Sequence, residues 1–85
     1  MRISVDISLY PLTENYAELI LAFIDKLENN PKLQVLRNNL STQIFGEYRD
    51  VMDAIDSEVE LVFKELPHSA FVFKMIGTDR YEVEE

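Results

Sequence analysis

Apolar and polar residues alternate along the first ten positions of the chain, which is typical of a half-buried β-strand over Arg2–Tyr10. Pro11 lacks the N–H group needed to continue strand pairing and ends the strand. One side of this strand is predicted to be apolar and the other polar, with Ile3, Val5, Ile7 and Leu9 on the first and Ser4, Asp6, Ser8 and Tyr10 on the second.

The spacing then changes to that of an amphipathic helix over residues 14–29, where apolar side chains recur every three or four positions. Thr13 is expected to cap this helix. The same spacing predicts a second helix over residues 50–66, with Asp50 as its cap and Pro67 preventing its extension. Three more strands are predicted over residues 32–38, 40–48 and 70–76.

The resulting order, β-α-β-β-α-β, predicts an α+β ferredoxin-like sandwich, in which a four-stranded antiparallel sheet carries two helices on one face. Right-handed crossovers place the strands in the spatial order 4-1-3-2. We assign residues 1–78 to a single domain and residues 79–85 to an acidic C-terminal tail, which is expected to fray.

The helices are expected to cover the apolar side of the first strand and to leave the other face of the sheet open. The last strand is apolar on both sides except at Lys74, so one apolar row would meet water in a monomer. We therefore expect two copies to pair through the open face, as a homodimer or a dimer of dimers.

Charge and composition narrow the possible partners. The 85 residues carry a net charge of −8, from 16 acidic and 8 basic side chains, which disfavours nucleic acids and anionic membranes. The chain has no Cys, and its single histidine, His68, makes a poor metal site, so we expect neither thiolate catalysis nor a bound metal. Since no signal peptide or membrane span is recognised, a cytoplasmic protein is expected.

Two polar segments are predicted to meet at one end of the sheet. In the predicted order the first and third strands are antiparallel neighbours, so Ser8-Leu9-Tyr10 lies beside Ser41-Thr42-Gln43. Hydroxyl and amide groups among apolar neighbours are costly to bury unless they have hydrogen-bond partners. A small polar ligand would supply such partners.

Three segments closely resemble the YkoF-related thiamine/hydroxymethylpyrimidine-binding family in order and spacing: Ser8-Leu9-Tyr10-Pro11-Leu12, Leu40-Ser41-Thr42 with Gly46, and Asp50-Val51-Met52-Asp53. Members of that family resemble ferredoxin-like domains, fused in tandem or as single-domain chains, and bind thiamine or its pyrimidine half without known chemistry. The resemblance implies non-catalytic binding here, as a carrier, buffer or sensor, with no cofactor and with dimerisation in place of the tandem fusion.

The pocket residues that the resemblance implies are Ser8, Tyr10, Ser41 and Thr42. Hydroxyls and amides such as those of Ser41, Thr42 and Asn39 match the ring nitrogens and amino group of an aminopyrimidine. Tyr10 is placed to stack on the ring, and Asp6 to accept the amino group or lie near a thiazolium cation. No Arg or Lys clamp for a phosphate is evident. This favours the free vitamin or its pyrimidine precursor over thiamine diphosphate.

Ordinary structural roles also explain these residues. Ser41 and Thr42 are then strand residues that bond to the backbone, Asp6 is solvated or paired with Arg2, and Asn39 tolerates a left-handed turn.

Two other functions fit the same fold. A small dimeric ferredoxin-like enzyme of the α/β-barrel type would use a pocket on this sheet, but no acid–base pair is evident and His68 follows a loop proline. A regulatory module that binds an amino acid usually has a Gly-rich turn after the first strand, whereas Tyr10-Pro11-Leu12-Thr13 contains no Gly.

Overall fold

A four-stranded antiparallel sheet with helices on one face forms the described part of the chain, which in this computed structural model comprises residues 1–12, 17–38 and 40–81. The elements in chain order are β1 (Arg2–Tyr10), α1 (Ala17–Glu28), β2 (Gln34–Arg37), β3 (Thr42–Glu47), α2 (Tyr48–Glu65) and β4 (Ala70–Ile76). The sheet order β2-β3-β1-β4 confirms the predicted ferredoxin-like sandwich. Neither described helix is long and apolar enough to cross a bilayer.

The core lies between the helices and the side of β1 that was predicted to be apolar. Ile3, Val5 and Ile7 are almost fully buried. They form one cluster with buried residues of both helices, namely Phe23, Leu27, Val51, Ile55 and Val62. Burial of each such side chain contributes roughly 1.5–3 kcal/mol, so the alternation in β1 decides which face of the sheet the helices cover.

Strand β3 passes directly into α2 without a connecting loop. Glu47 ends the strand and precedes the helix, and its side chain makes no capping hydrogen bond. The N–H of Tyr48 instead donates to the carbonyl oxygen of Met1 at 2.8 Å. Asp50 therefore lies in the first turn of α2, and its predicted role as the cap is wrong. The other predicted cap, Thr13, lies outside the described residues.

Strand β4 exposes apolar side chains on both sides of the sheet. Val72 and Ile76 are exposed on the open face, as predicted, but Phe73 and Met75 are also exposed on the helix side. The buried core takes its strand residues mainly from β1 and β3, while β4 contributes only the partly buried Phe71. The helices thus leave the outer part of this edge strand uncovered.

Residues 78–81, which we call the strap, lie against the open face near the start of β1. The buried Ser4 hydroxyl donates to the carbonyl oxygen of Thr78 at 2.8 Å and accepts the N–H of Arg80 at 2.8 Å. The rings of Tyr81 and Phe45 pack with centroids 5.2 Å apart. These contacts fix residues 79–81 against the sheet, although the sequence led us to expect a frayed tail from residue 79.

Candidate functional site

The end of β1 and the start of β3 lie side by side, as the predicted strand order requires. Ile7 pairs with Thr42 across the two strands. The Ser8 hydroxyl lies 3.5 Å from the carbonyl oxygen of Leu40, which is 32 positions further along the chain. This distance is at the long limit for a hydrogen bond, so the bond is weak and the hydroxyl can be recruited by another partner.

A cavity of ≈ 150 Å³ opens at this end of the sheet, and we call it the sheet-end cavity. Its volume corresponds to about five water molecules at roughly 30 Å³ each. Helix α1 contributes apolar side chains to one wall, including Ile20, Phe23 and Ile24. The polar residues of the cavity are Ser8, Tyr10, Asn38, Ser41 and Thr42. Apolar walls with a few placed polar groups are usual in small-molecule sites.

The turn between β2 and β3 is held by Asn38. Its side-chain oxygen accepts the N–H groups of Leu40 at 2.8 Å and of Ser41 at 3.0 Å. The N–H of Asn38 in turn donates to the carbonyl oxygen of Ser41 at 3.1 Å. Asn38 thus acts in the turn in the manner usual for asparagine, and these bonds position Ser41 and Thr42 at the cavity.

Thr42 is the most deeply buried polar residue of the sheet-end cavity. Only 6% of the residue is exposed, and it lines the cavity. Thr42 shares the helix side of the sheet with Ile7, whereas Ser8 and Tyr10 lie on the open side. Polar groups therefore reach the cavity from both sides of the sheet end. The Thr42 hydroxyl at the cavity wall can donate a hydrogen bond to a ligand or accept one from it.

The sheet-end cavity is uncharged over its described lining, which includes no Asp, Glu, Lys, Arg or His. Tyr10 stands at its exposed rim. The site offers hydrogen bonds and apolar surface, and it offers no cation to a phosphate group.

The structure separates Asp6 from the other predicted ligand residues. Asp6 lies two positions before Ser8 on the open face, roughly 6.6 Å along the strand, between Gln43 of β3 and Lys74 of β4. It lines a different cavity, described below. The structure brings Ser8, Tyr10, Ser41 and Thr42 together, while Asn39 lies outside the described residues.

The chain forms a small α+β domain with a cavity at one end of its sheet, and its sequence falls in a known group. The chain belongs to the YKOF-related family, whose model matches residues 2–77. The match runs from the start of β1 to just beyond β4. No match was found among curated proteins.

Solved structures share the fold at low sequence identity. A protein from Thermotoga maritima, provisionally described as acting in thiamine biosynthesis or salvage, has a TM-score of 0.79 at 16% identity, over 92% of this chain and 85% of that chain. A hypothetical protein from Methanocaldococcus jannascii has a TM-score of 0.77 at 16% identity, over 95% and 84%. A protein from Streptococcus pneumoniae has a TM-score of 0.75 at 16% identity, over 98% and 93%. Such identities establish the fold alone.

Proposed function

We propose that this chain binds hydroxymethylpyrimidine, free or as part of thiamine, in the sheet-end cavity and performs no chemistry on it. The observation that carries the proposal is that Ser8, Ser41 and Thr42 line one cavity of ≈ 150 Å³ together with apolar side chains. Membership in the YKOF-related family, and the thiamine-related description of the Thermotoga maritima protein, support the same class of ligand.

The size and chemistry of the cavity match a single substituted heteroaromatic ring. An aminopyrimidine has ring nitrogens that accept hydrogen bonds and an amino group that donates them, and hydroxyl groups serve both kinds of partner. Thr42, Ser41 and Ser8 supply such hydroxyls. A volume of ≈ 150 Å³ accommodates the pyrimidine and leaves a thiazolium ring outside, on the side of Tyr10. Contacts to Asp6 and Asn39 stay predictions.

The uncharged lining favours the unphosphorylated ligand. Thiamine diphosphate would approach a chain of net charge −8 without a Lys or Arg in the described lining to neutralise it. The same lining lacks the positioned acid and base that proton-transfer catalysis requires. We therefore propose a carrier, buffer or sensor of the vitamin or its precursor.

The open face of the sheet supports our proposal that the chain acts as a homodimer. Leu36, Val72 and Ile76 are exposed on this face, and such apolar groups commonly mark an interface. The charged side chains described on this face balance, with Arg2, Lys74 and Arg80 against Asp6, Glu47 and Asp79. Two copies would therefore meet through this face without the repulsion that the net charge imposes elsewhere.

Calorimetric titration of the full chain tests the proposed ligand. We expect saturable binding of hydroxymethylpyrimidine and of thiamine, and a Kd for thiamine diphosphate at least about tenfold higher, which corresponds to about 1.4 kcal/mol. Absence of heat at millimolar ligand, with circular dichroism showing a folded chain, would overturn the proposal. Tighter binding of the diphosphate would overturn the preference for the unphosphorylated forms.

A further inference from the structure

A second cavity lies on the open face of the sheet, separate from the sheet-end cavity. Its volume is ≈ 170 Å³, and we call it the Asp6 cavity. Strand pairing places Asp6 of β1 directly between Gln43 of β3 and Lys74 of β4. The cavity is completed by Phe45, Ile76 and Arg80. The cavity thus combines the carboxylate of Asp6, the two cationic side chains and the amide of Gln43 with the apolar side chains of Phe45 and Ile76.

One oxygen of the carboxylate in this cavity lacks a hydrogen-bond partner. Asp6 Oδ1 is buried and has no hydrogen-bond partner among the described residues. No ion pair of the described residues includes Lys74 or Arg80, although Lys74 is the cross-strand neighbour of Asp6. Burying a carboxylate oxygen without a donor is costly, so the cavity is suited to a ligand that brings a donor to Asp6.

The strap positions the second cation. The Ser4 hydroxyl donates its one hydrogen to the carbonyl oxygen of Thr78 and accepts the N–H of Arg80. Ser4 therefore has no hydrogen left to donate to a ligand, and these bonds fix the backbone of Arg80 at the cavity. Lys74 is held at the opposite side by its place in β4. The two cations thus come from different segments, Lys74 from β4 and Arg80 from the strap. Asp6 comes from β1, which lies between β3 and β4.

We propose that the Asp6 cavity binds a small zwitterion of the α-amino acid class. The ammonium group donates to Asp6 Oδ1, and the carboxylate pairs with Lys74 and Arg80, because charge-assisted hydrogen bonds are the strongest available to such groups. The volume, about five to six water molecules at roughly 30 Å³ each, admits a small side chain against Ile76. This site does not depend on the proposed pyrimidine site, since the two use different cavities.

An NMR titration of the full ¹⁵N-labelled chain with L-alanine tests the proposal, with acetate and methylammonium as probes that each carry one of its two charges. We expect L-alanine to cause saturable chemical-shift changes at the Asp6, Gln43 and Lys74 amides. Acetate and methylammonium should each bind at least about tenfold more weakly than L-alanine. Asp6→Asn and Lys74→Met should each weaken L-alanine binding at least about tenfold. Thr42→Val, which alters the sheet-end cavity, should leave it unchanged.

Three results would overturn the zwitterion site. They are the absence of saturable shifts, equal binding by wild type and Asp6→Asn, and acetate binding as tight as that of L-alanine. The first would mean that Asp6 and Lys74 satisfy each other in solution, or that pairing of the open faces closes the cavity. Lys74 is exposed, so Lys74→Met keeps the test valid even if Asp6→Asn fails to fold. None of these results bears on hydroxymethylpyrimidine binding, which is measured with a different probe and at different residues.

Discussion

Thr42 is a residue at which stability and ligand binding are expected to respond in opposite directions. Val has nearly the shape of Thr but lacks the hydroxyl, and Thr42 is a nearly buried residue that lines the sheet-end cavity. In Thr42→Val the free energy of unfolding should therefore be unchanged or rise by up to about 1 kcal/mol, while the Kd for hydroxymethylpyrimidine rises about tenfold. Urea denaturation and calorimetry measure the two effects.

Ser69 provides a matched control for this prediction. Its hydroxyl is buried and has no partner among the described residues, and Ser69 does not line the sheet-end cavity. Ser69→Ala should leave ligand binding unchanged. A loss of stability in Thr42→Val without any change in Kd would identify Thr42 as a purely structural residue.

Asp79 gives the strap a dependence on pH. The hydrogen bond from the Arg2 side chain, and then that from the Tyr81 N–H, lower the pKa of Asp79 from its usual 3.8. Because the folded-state pKa lies below the unfolded value, this stabilisation is present above pH 3.8 and is lost as the pH falls through the lower folded-state pKa. The NMR shift of the Tyr81 amide should therefore titrate with a midpoint below 3.8.

Asp79→Asn supplies the control, since an amide does not titrate in this range. The acidic transition of the Tyr81 amide should disappear in this variant, while amides far from the strap keep theirs. A midpoint at or above 3.8 in the wild-type chain would contradict the contact between Arg2 and Asp79.

At the scale of elements, the junction between β3 and α2 depends on the absence of a side chain at Gly46. A Cβ placed there would lie 3.1 Å from the carbonyl oxygen of Lys32, 3.2 Å from Leu33 Cδ2 and 3.3 Å from Val51 Cγ2. These contacts are tight, and one of them is to backbone. We expect Gly46→Ala to lower the free energy of unfolding by about 1–3 kcal/mol, as measured by chemical denaturation.

Gly77 is the matched control, because a Cβ there would meet nothing within 4 Å. Gly77→Ala should leave stability unchanged or raise it by up to about 1 kcal/mol, since it removes the same freedom from the unfolded chain. Equal effects of the two substitutions would show that β3 and α2 adjust freely at Gly46.

The sequence predicted elements best where one strong pattern governed them. Strict alternation ended by Pro11 gave β1 its observed bounds, and the apolar run at Ala70–Ile76 did the same for β4. The start of α2 was predicted two residues late because a sequence pattern does not show that the Tyr48 amide bonds to Met1. The docking of the strap on Ser4 is likewise a long-range contact without a local signal.

The candidate site was predictable only on its strand side. Strand order alone brings Ser8 close to Ser41 and Thr42. The wall formed by Ile20 and Phe23 of α1 was missed, because apolar residues that line a cavity have the same helical spacing as residues that fill a core. Asp6 was grouped with Ser8 because they share a strand face, but two positions along a strand are far enough to reach a different cavity.

At the scale of the whole molecule, the two faces of the sheet differ in burial and in charge. The helix side buries the core, whereas the open side carries balanced charges and an exposed apolar row on β4. Ser8 lies opposite Val72 in that row, so the proposed interface between two copies borders the sheet-end cavity. Pairing of the open faces would then shield the rim of the cavity near Tyr10.

Val72 and Leu21 allow a test of this interface because they are almost equally exposed, at 58% and 57%, on opposite sides of the sandwich. In Val72→Lys an unpaired charge would be buried in the dimer, which costs about 3–5 kcal/mol and should raise the dimer Kd more than about 100-fold. Leu21→Lys, on α1, should leave it unchanged. Sedimentation equilibrium measures both, and a wild-type chain that stays monomeric, or equal effects of the two variants, would rule out pairing through the open face.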